Sequence, residues 1–497
     1  MTTLTRDHGA PPTPARQRLT AIEELDYLLD RAWEPNLVLW ELHAHGHLDR
    51  DLLAEALTAV LGSDSGARRR LAATGRWGRR LYWRQAPAPG PYAPAADADG
   101  SRLLTVASWR TPDELEALRQ RLFAWPIALD QAVVRVVLAV GPSDDALILQ
   151  VHHTAFDGIS SLRLLSAITQ AYRDRAHQAR HLHPVPSVPA PRPAPATTPD
   201  PQPKAPAPPT TPATPTTSAP PTTSTPPAPP APPIPKASVD PKPRRWPGPV
   251  TRIAPQAGQP DRPGYGFVLI EDVVARPGTG DFGPRPTVND LLVAALCLAI
   301  DRWNTAHGQA SGQISVTIPI NGRTASQRWQ GDGNLSWLMR VITTPARRAS
   351  PPRLLASVAA QTRAARDRGR TGGTDAVSRL LATAWAPVPV KRRAARLIRG
   401  LAAPVLTDTS LVSNLGVLPE PPTFDGSGTE ALWLAPPCPM PRGLAVGAVS
   451  VAGRLYLSVR YRLALMDQAA AEDFTACFRA AIAELARPGP VVVTGAP

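Results

Sequence analysis

The chain has 497 residues, 43% of them hydrophobic and 19% charged, which is too long for one ordinary core and apolar enough for two. Its formal net charge is +14, yet only four lysines occur (Lys204, Lys236, Lys242, Lys391). Nearly all the positive charge is therefore arginine scattered among Ala and Pro, with no compact basic-aromatic surface, so no nucleic-acid partner is expected.

Helical spacing first appears at 50–61 and again at 111–122. Two apolar runs follow, 133–140 (VVRVVLAV) and 146–151 (ALILQV), separated by the turn-like 141–145 (GPSDD), and both read as buried strands. Directly behind the second run stands 152–158, HHTAFDG. Helical spacing resumes through Ile159, Leu162, Leu165, Ile168 and Tyr172, giving a helix over 160–175. From 184 to 249 the chain is Pro, Ala, Thr and Ser with almost no large apolar residue, and it holds most of the excess among the 61 prolines. Such a stretch cannot bury enough surface to offset its ordering entropy, so an extended, disordered linker is expected. Further helices are expected at 288–303, 353–368 and 467–486. The strand 454–462 alternates, with Leu455, Leu457, Val459 and Tyr461 on one face.

The chemistry is concentrated in HHTAFDG. Histidine titrates near neutrality, so at a strand end it suits a general base that takes a proton from an alcohol or amine and later returns it. Two adjacent residues in an extended segment point to opposite sides, so only one of His152 and His153 can face a given cleft, and geometry alone does not choose between them. Gly158 lets a substrate or backbone come close. Adjacent histidines do not chelate as an i,i+4 pair does, and no Cys or carboxylate cluster is nearby, so no metal is expected. The competing structural reading makes both histidines satisfied core residues.

HHTAFDG and its flanks resemble the active-site motif of the HHxxxDG acyltransferase superfamily. That group includes nonribosomal-peptide condensation domains, chloramphenicol acetyltransferase, and wax ester synthase/diacylglycerol acyltransferase enzymes. Residues 123–130 (FAWPIALD) resemble the "PFDL" stretch, 287–296 (TVNDLLVAAL) the "TVNDVLLAA" helix, and 318–323 (IPINGR) the "PVNxR" strand end. Gly333 and Asn334 are similar to the following "GN", and 412–416 (VSNLG) to the "SNLG" strand. The order and spacing fit from about Leu19 to Ala486, apart from one insertion.

The resemblance implies an α/β fold of mixed sheets: two chloramphenicol-acetyltransferase-like half-domains, at 20–183 and 250–490, facing each other across a V-shaped cleft. The 184–249 linker would join them, with a flexible 1–19 and a tail at 491–497. It implies His153 as the general base, with His152 packed inward to hold the turn. Asp157, counted with His153 in the catalytic motif, would be largely structural and pair with Arg323, and Gly158 would leave room for the substrate channel. Ser413 and Asn414 are the candidates for positioning or oxyanion stabilisation, where a donor aimed at the developing charge contributes most. No resident cofactor is implied. The partners would be an acyl-CoA or acyl-carrier protein as thioester substrate and a small alcohol or amine acceptor, acting on a monomer. Asp281 to Gly283 resemble the "DFGWG" of plant members but stand too early in the chain to correspond.

The basic run 390–401 (VKRRAARLIRGL) is amphipathic in helical projection, setting Lys391, Arg392, Arg393, Arg396 and Arg399 against Val390, Leu397, Ile398 and Leu401. It reads as a solvated surface helix, with peripheral contact to an anionic membrane or a carrier protein as the alternative. The cysteines Cys297, Cys438 and Cys477 have no CxxC spacing and fit buried free thiols in a reducing cytoplasm. The N-terminus lacks an apolar h-region and no stretch approaches the ~20 apolar residues of a spanning helix, so a soluble or peripheral cytoplasmic protein is expected. The functional expectation is acyl transfer from a thioester in natural-product, condensation-type biosynthesis. A lipid-making enzyme and a non-catalytic condensation-like binding module are the alternatives, and a hydrolase is disfavoured by the absence of a GxSxG elbow.

Overall fold

The computed structural model describes residues 16–30, 34–75, 77–88, 104–182, 249–260, 262–273, 286–329, 331, 333–368, 382–426 and 430–486. The proline-rich stretch up to residue 248, residues 1–15, the 491–497 tail and the 281–283 tripeptide lie outside the described residues.

In the first part of the chain the elements are β1 (Gln17–Arg18), α1 (Ala21–Leu29), β2 (Leu37–His43), α2 (Arg50–Ser63), β3 (Arg69–Leu71), β4 (Tyr82–Gln85), β5 (Thr105–Ser108), α3 (Pro112–Ala124), β6 (Val134–Val140), β7 (Ala146–His152) and α4 (Gly158–Leu182). After the proline-rich stretch come β8 (Tyr265–Val273), α5 (Val288–Ala306), β9 (Ile314–Asn321), β10 (Ser336–Thr343), α6 (Pro345–Arg348), α7 (Pro351–Arg368), α8 (Val388–Leu406), β11 (Ser410–Val417), β12 (Leu432–Ala435), β13 (Leu444–Val451), β14 (Arg454–Arg462) and α9 (Gln468–Ala486).

Two mixed sheets carry the fold, a five-stranded one in the order β12-β2-β7-β6-β5 and a six-stranded one in the order β10-β9-β11-β13-β14-β8. A small sheet, β1-β4-β3, stands beside the first. The helices form where apolar spacing and caps agree. Asp49 caps α2 and Thr111 caps α3, while Thr287 and Asp290 form a reciprocal capping box on α5. α5 is buried almost all round, wedged against α7 and α9 over the second sheet.

Strand β12 comes from late in the chain but pairs antiparallel with β2, at the edge of the first sheet (Leu434 opposite Trp40). It crosses so close to β13 that a Cβ on Gly447 would lie 1.7 Å from the Leu434 carbonyl oxygen. Only glycine admits that approach.

The alternation in β14 describes only half of its surroundings. Leu455, Leu457, Val459 and Tyr461 pack into the second sheet's core, but Tyr456, Ser458, Arg460 and Arg462 are buried too. Arg460 lies between the rings of Phe123 and Tyr265, at 3.8 and 4.1 Å, and donates to the Leu37 carbonyl at 2.8 Å. A guanidinium stacked between aromatic faces is sheltered from solvent without being apolar, so it escapes a hydrophobic pattern.

Helix α8 corrects the amphipathic projection. Lys391 is fully buried in an ion pair with the equally buried Glu24 of α1, and Arg392 covers the Tyr27 ring and donates to the Asp30 carbonyl. Val390 and Leu397, assigned to an apolar face, are exposed. Two of the expected surface cations thus anchor the helix, because α1 presents carboxylates inward. The 390–401 run is neither a uniformly solvated basic face nor an apolar stripe facing a core.

Candidate active site

The HHTAFDG segment turns from the end of β7 into α4. Its first residues are held by backbone bonds: His152 N–H donates to Val133 O at 2.9 Å and His153 N–H to Asn36 O at 2.8 Å. His152 is buried, and its Nδ1 accepts the Thr154 N–H at 3.2 Å. That bond places the ring proton on Nε2, which lies 3.6 Å from Asp30 Oδ2. His152 therefore braces the turn.

His153 has the opposite tautomer. Its Nδ1 lies 2.9 Å from the Phe156 carbonyl oxygen. A carbonyl only accepts, so Nδ1 carries the proton and the Nε2 lone pair is left to act as a base. The ring is half-buried.

Asp157 is spent on structure. Its Oδ1 accepts the Ser160 N–H at 2.8 Å, capping α4, and Leu335 N–H donates to Oδ2 at 3.0 Å. Arg323, just past β9, grips the same carboxylate through both terminal nitrogens, at 2.7 and 3.2 Å. It also donates to Gly333 O at 3.3 Å. Paired twice and buried, this carboxylate ties β9 and the loop before β10 to the histidine turn.

Asn334 supplies a second tie. Its amide donates to Asp26 Oδ2 at 2.8 Å and to the His153 carbonyl at 3.2 Å, while its oxygen accepts from Ser336. Gly333 beside it has a φ of +88°, and a Cβ there would lie 3.0 Å from an Arg69 nitrogen.

Two carboxylates on and after α1 were not singled out in the sequence. Burial pushes Asp26 up to about 6, even though His153, His152 and the Asn334 amide all favour its charged form. Burial also raises Asp30, but the His152 hydrogen bond, the Asn36 N–H and Arg392 outweigh it and hold this carboxyl below its usual range. No local sequence signal marked them, because their roles depend on what α1 packs against.

Gly158 begins α4 against β11, since a Cβ there would sit 3.3 Å from Leu415 Cδ2. Ser413 stands half-buried on β11, two residues before Leu415 and just ahead of the register shift with β13. Asn414 turns back on its own strand, its Oδ1 accepting the Gly416 N–H at 2.8 Å where the register with β13 shifts. The oxygen of Asn414 is therefore committed to the bulge.

Burial raises the Cys297 and Cys438 thiols to about 11, which keeps them protonated and poor nucleophiles. Among the described residues no cluster of His, Cys, Asp and Glu could hold a metal ion, and no helix is long and apolar enough to cross a membrane.

No family model matches this sequence. An uncharacterized protein of Mycobacterium tuberculosis (strain ATCC 25618 / H37Rv) is 27% identical over 445 residues, covering 88% of this chain and 92% of the relative. Among solved structures, the first condensation domain of the CDA synthetase superposes with a TM-score of 0.54 at 14% identity, covering 95% of this chain and 96% of that one. This chain has the condensation-domain fold. The epimerization domain from the third module of tyrocidine synthetase B gives a TM-score of 0.51 at 14% identity, over 97% of this chain and 98% of that one. A variant starter condensation domain of rhizomide synthetase, in complex with C8-CoA, gives 0.53 at 12% identity, over 95% of each chain. On the condensation-domain fold of this protein, the turn that carries both histidines is locked from two sides, by Arg323 and by Asn334.

Proposed function

We propose that this protein is a thioester-dependent acyltransferase of the condensation type, with His153 as its general base. The observation that carries the reading is the 2.9 Å contact from His153 Nδ1 to the Phe156 carbonyl, which fixes the tautomer a base requires. In this reading Nε2 takes the proton of an acceptor hydroxyl or amine as its oxygen or nitrogen attacks the thioester carbonyl carbon. The tetrahedral intermediate collapses with cleavage of the carbon–sulfur bond, and the thiol leaves with the proton that His153 returns. The products are the ester or amide and the free thiol of coenzyme A or a carrier's pantetheine arm.

Ser413 is the more available of the two candidate positioning groups, because the oxygen of Asn414 is engaged with its own strand. Asp157 and Arg323 serve by holding the turn. The likeness to a condensation domain in complex with C8-CoA supports an acyl thioester as donor, and the condensation-domain relatives support natural-product assembly over lipid synthesis. The reading is tested by thiol release from a panel of acyl-CoAs and acyl-carrier thioesters, with and without alcohol and amine acceptors. Acceptor-dependent release supports transfer. Equal carrier binding by wild type and His153→Ala without turnover would instead assign the chain to a binding module.

A further inference from the structure

The anchoring of α8 on α1 leaves its opposite side outward, and a second loop meets the start of the helix. Val388 N–H donates to Gly78 O at 2.8 Å, and an Arg79 terminal nitrogen reaches Ala384 O at 3.5 Å. The segment around Trp77 therefore lies against the turn that opens α8. Trp77 is 74% exposed and Trp385 49%. Val390 (49%) and Leu397 (62%) are also exposed, and their seven-residue spacing puts them on one face of the helix. Lys391, Arg392 and Ala395 fix the opposite face against α1.

Arg79, Arg80, Arg393 and Arg396 stand exposed among these apolar tips. Neither contributing segment, 65–88 or 382–407, contains a single Asp or Glu. Tryptophan and arginine are enriched in protein interfaces as well, so it is the set of guanidinium groups with no carboxylate on either segment that selects an anionic partner. At a bilayer surface the same pattern is favourable: rings and aliphatic tips enter the headgroup layer, and the arginines pair with lipid phosphates that stay hydrated. The chain's net charge of +14 adds long-range attraction of the same sign.

We propose that this face docks the protein on an anionic phospholipid bilayer, with Trp77, Trp385, Val390 and Leu397 at the headgroup boundary and Arg79, Arg80, Arg393 and Arg396 on the phosphates. The test is flotation of the full-length chain with vesicles of phosphatidylcholine alone and of phosphatidylcholine mixed with phosphatidylglycerol. Its readout does not depend on acyl transfer. The chain should float with the mixed vesicles and not with phosphatidylcholine, and added salt should release it. Arg393→Glu with Arg396→Glu should weaken binding roughly tenfold or more, while Arg302→Glu on α5 leaves it intact. Brominated lipids should quench wild-type tryptophan fluorescence more than that of the Trp77→Ser/Trp385→Ser variant, with matching circular dichroism establishing that both are folded. No flotation with either vesicle, or equal flotation of the Arg393/Arg396 variant, overturns the proposal. So does capture of an acidic carrier protein by this face in the absence of vesicle binding.

Discussion

Arg323 grips Asp157 through two hydrogen bonds, at 2.7 and 3.2 Å, between residues 166 positions apart. The pair is buried, and the same carboxylate caps α4 and receives the Leu335 N–H. Removing either partner strands a charge away from water. Arg323→Ala should therefore cost about 3 kcal/mol of stability in urea denaturation, and Asp157→Ala at least as much. Because each single change already breaks the pair, the double variant should lose less than the sum of the two. A strictly additive double variant, or an Arg323→Ala protein with an unchanged midpoint, would show that the pair does not hold the turn.

The Lys391–Glu24 pair obeys the same physics in a different place. Both side chains are fully buried. Lys391→Met alone should destabilise by about 3 kcal/mol, and combining it with Glu24→Gln should recover much of that loss. Thermal melts of the wild type and the two variants check it. If Lys391→Met matches the wild type, Glu24 has another source of compensation.

Asp26 gives a pH dependence with a definite sign. Its carboxyl is raised from 3.8 to about 6 in the fold. A raised carboxyl binds its proton more tightly when folded, so its contribution to stability is complete below pH 4 and is lost as the pH rises through 6. Asp26→Asn removes this loss. It should be more stable than the wild type at pH 8, by about 3 kcal/mol at most, and the difference should vanish near pH 3.5. Stability differences that are the same at both pH values would contradict the burial argument.

Gly447 is a steric prediction. A methyl group there meets the Leu434 carbonyl oxygen at 1.7 Å, backbone against backbone, so no side chain can yield. Gly447→Ala should separate β12 from β13 and lower soluble yield or melting temperature by an amount equivalent to about 3 kcal/mol or more. An unaffected melt would mean that β12 shifts freely along the first sheet's edge.

Much of the architecture was legible because it rests on periodic apolar patterns. The helices expected at 288–303 and 353–368 appear as Val288–Ala306 and Pro351–Arg368, and β6 and β7 occupy the two apolar runs ahead of the histidines. What escaped was polar and buried. Helix α1 hid because Glu23 and Glu24 point inward, to Arg69, Trp83 and Lys391, so its charge pattern read as solvent-facing. The second face of β14 hid because buried arginines line part of it. Asp26 and Asp30 were invisible for the same reason, since their importance depends on which strand end α1 packs against, and no local spacing encodes that. β12 lay beyond any local rule, because its pairing with β2 joins residues nearly 400 positions apart.

The central claim is that His153 Nε2 is the base for acyl transfer, and thiol release by purified wild type and His153→Ala tests it most directly. With a competent acyl-CoA or acyl-carrier thioester and an alcohol or amine acceptor, the wild type should release thiol in an acceptor-dependent way. His153→Ala should be slower by about 100-fold or more, with an unchanged melting temperature. Undiminished acceptor-dependent release by a folded His153→Ala protein would contradict the assignment.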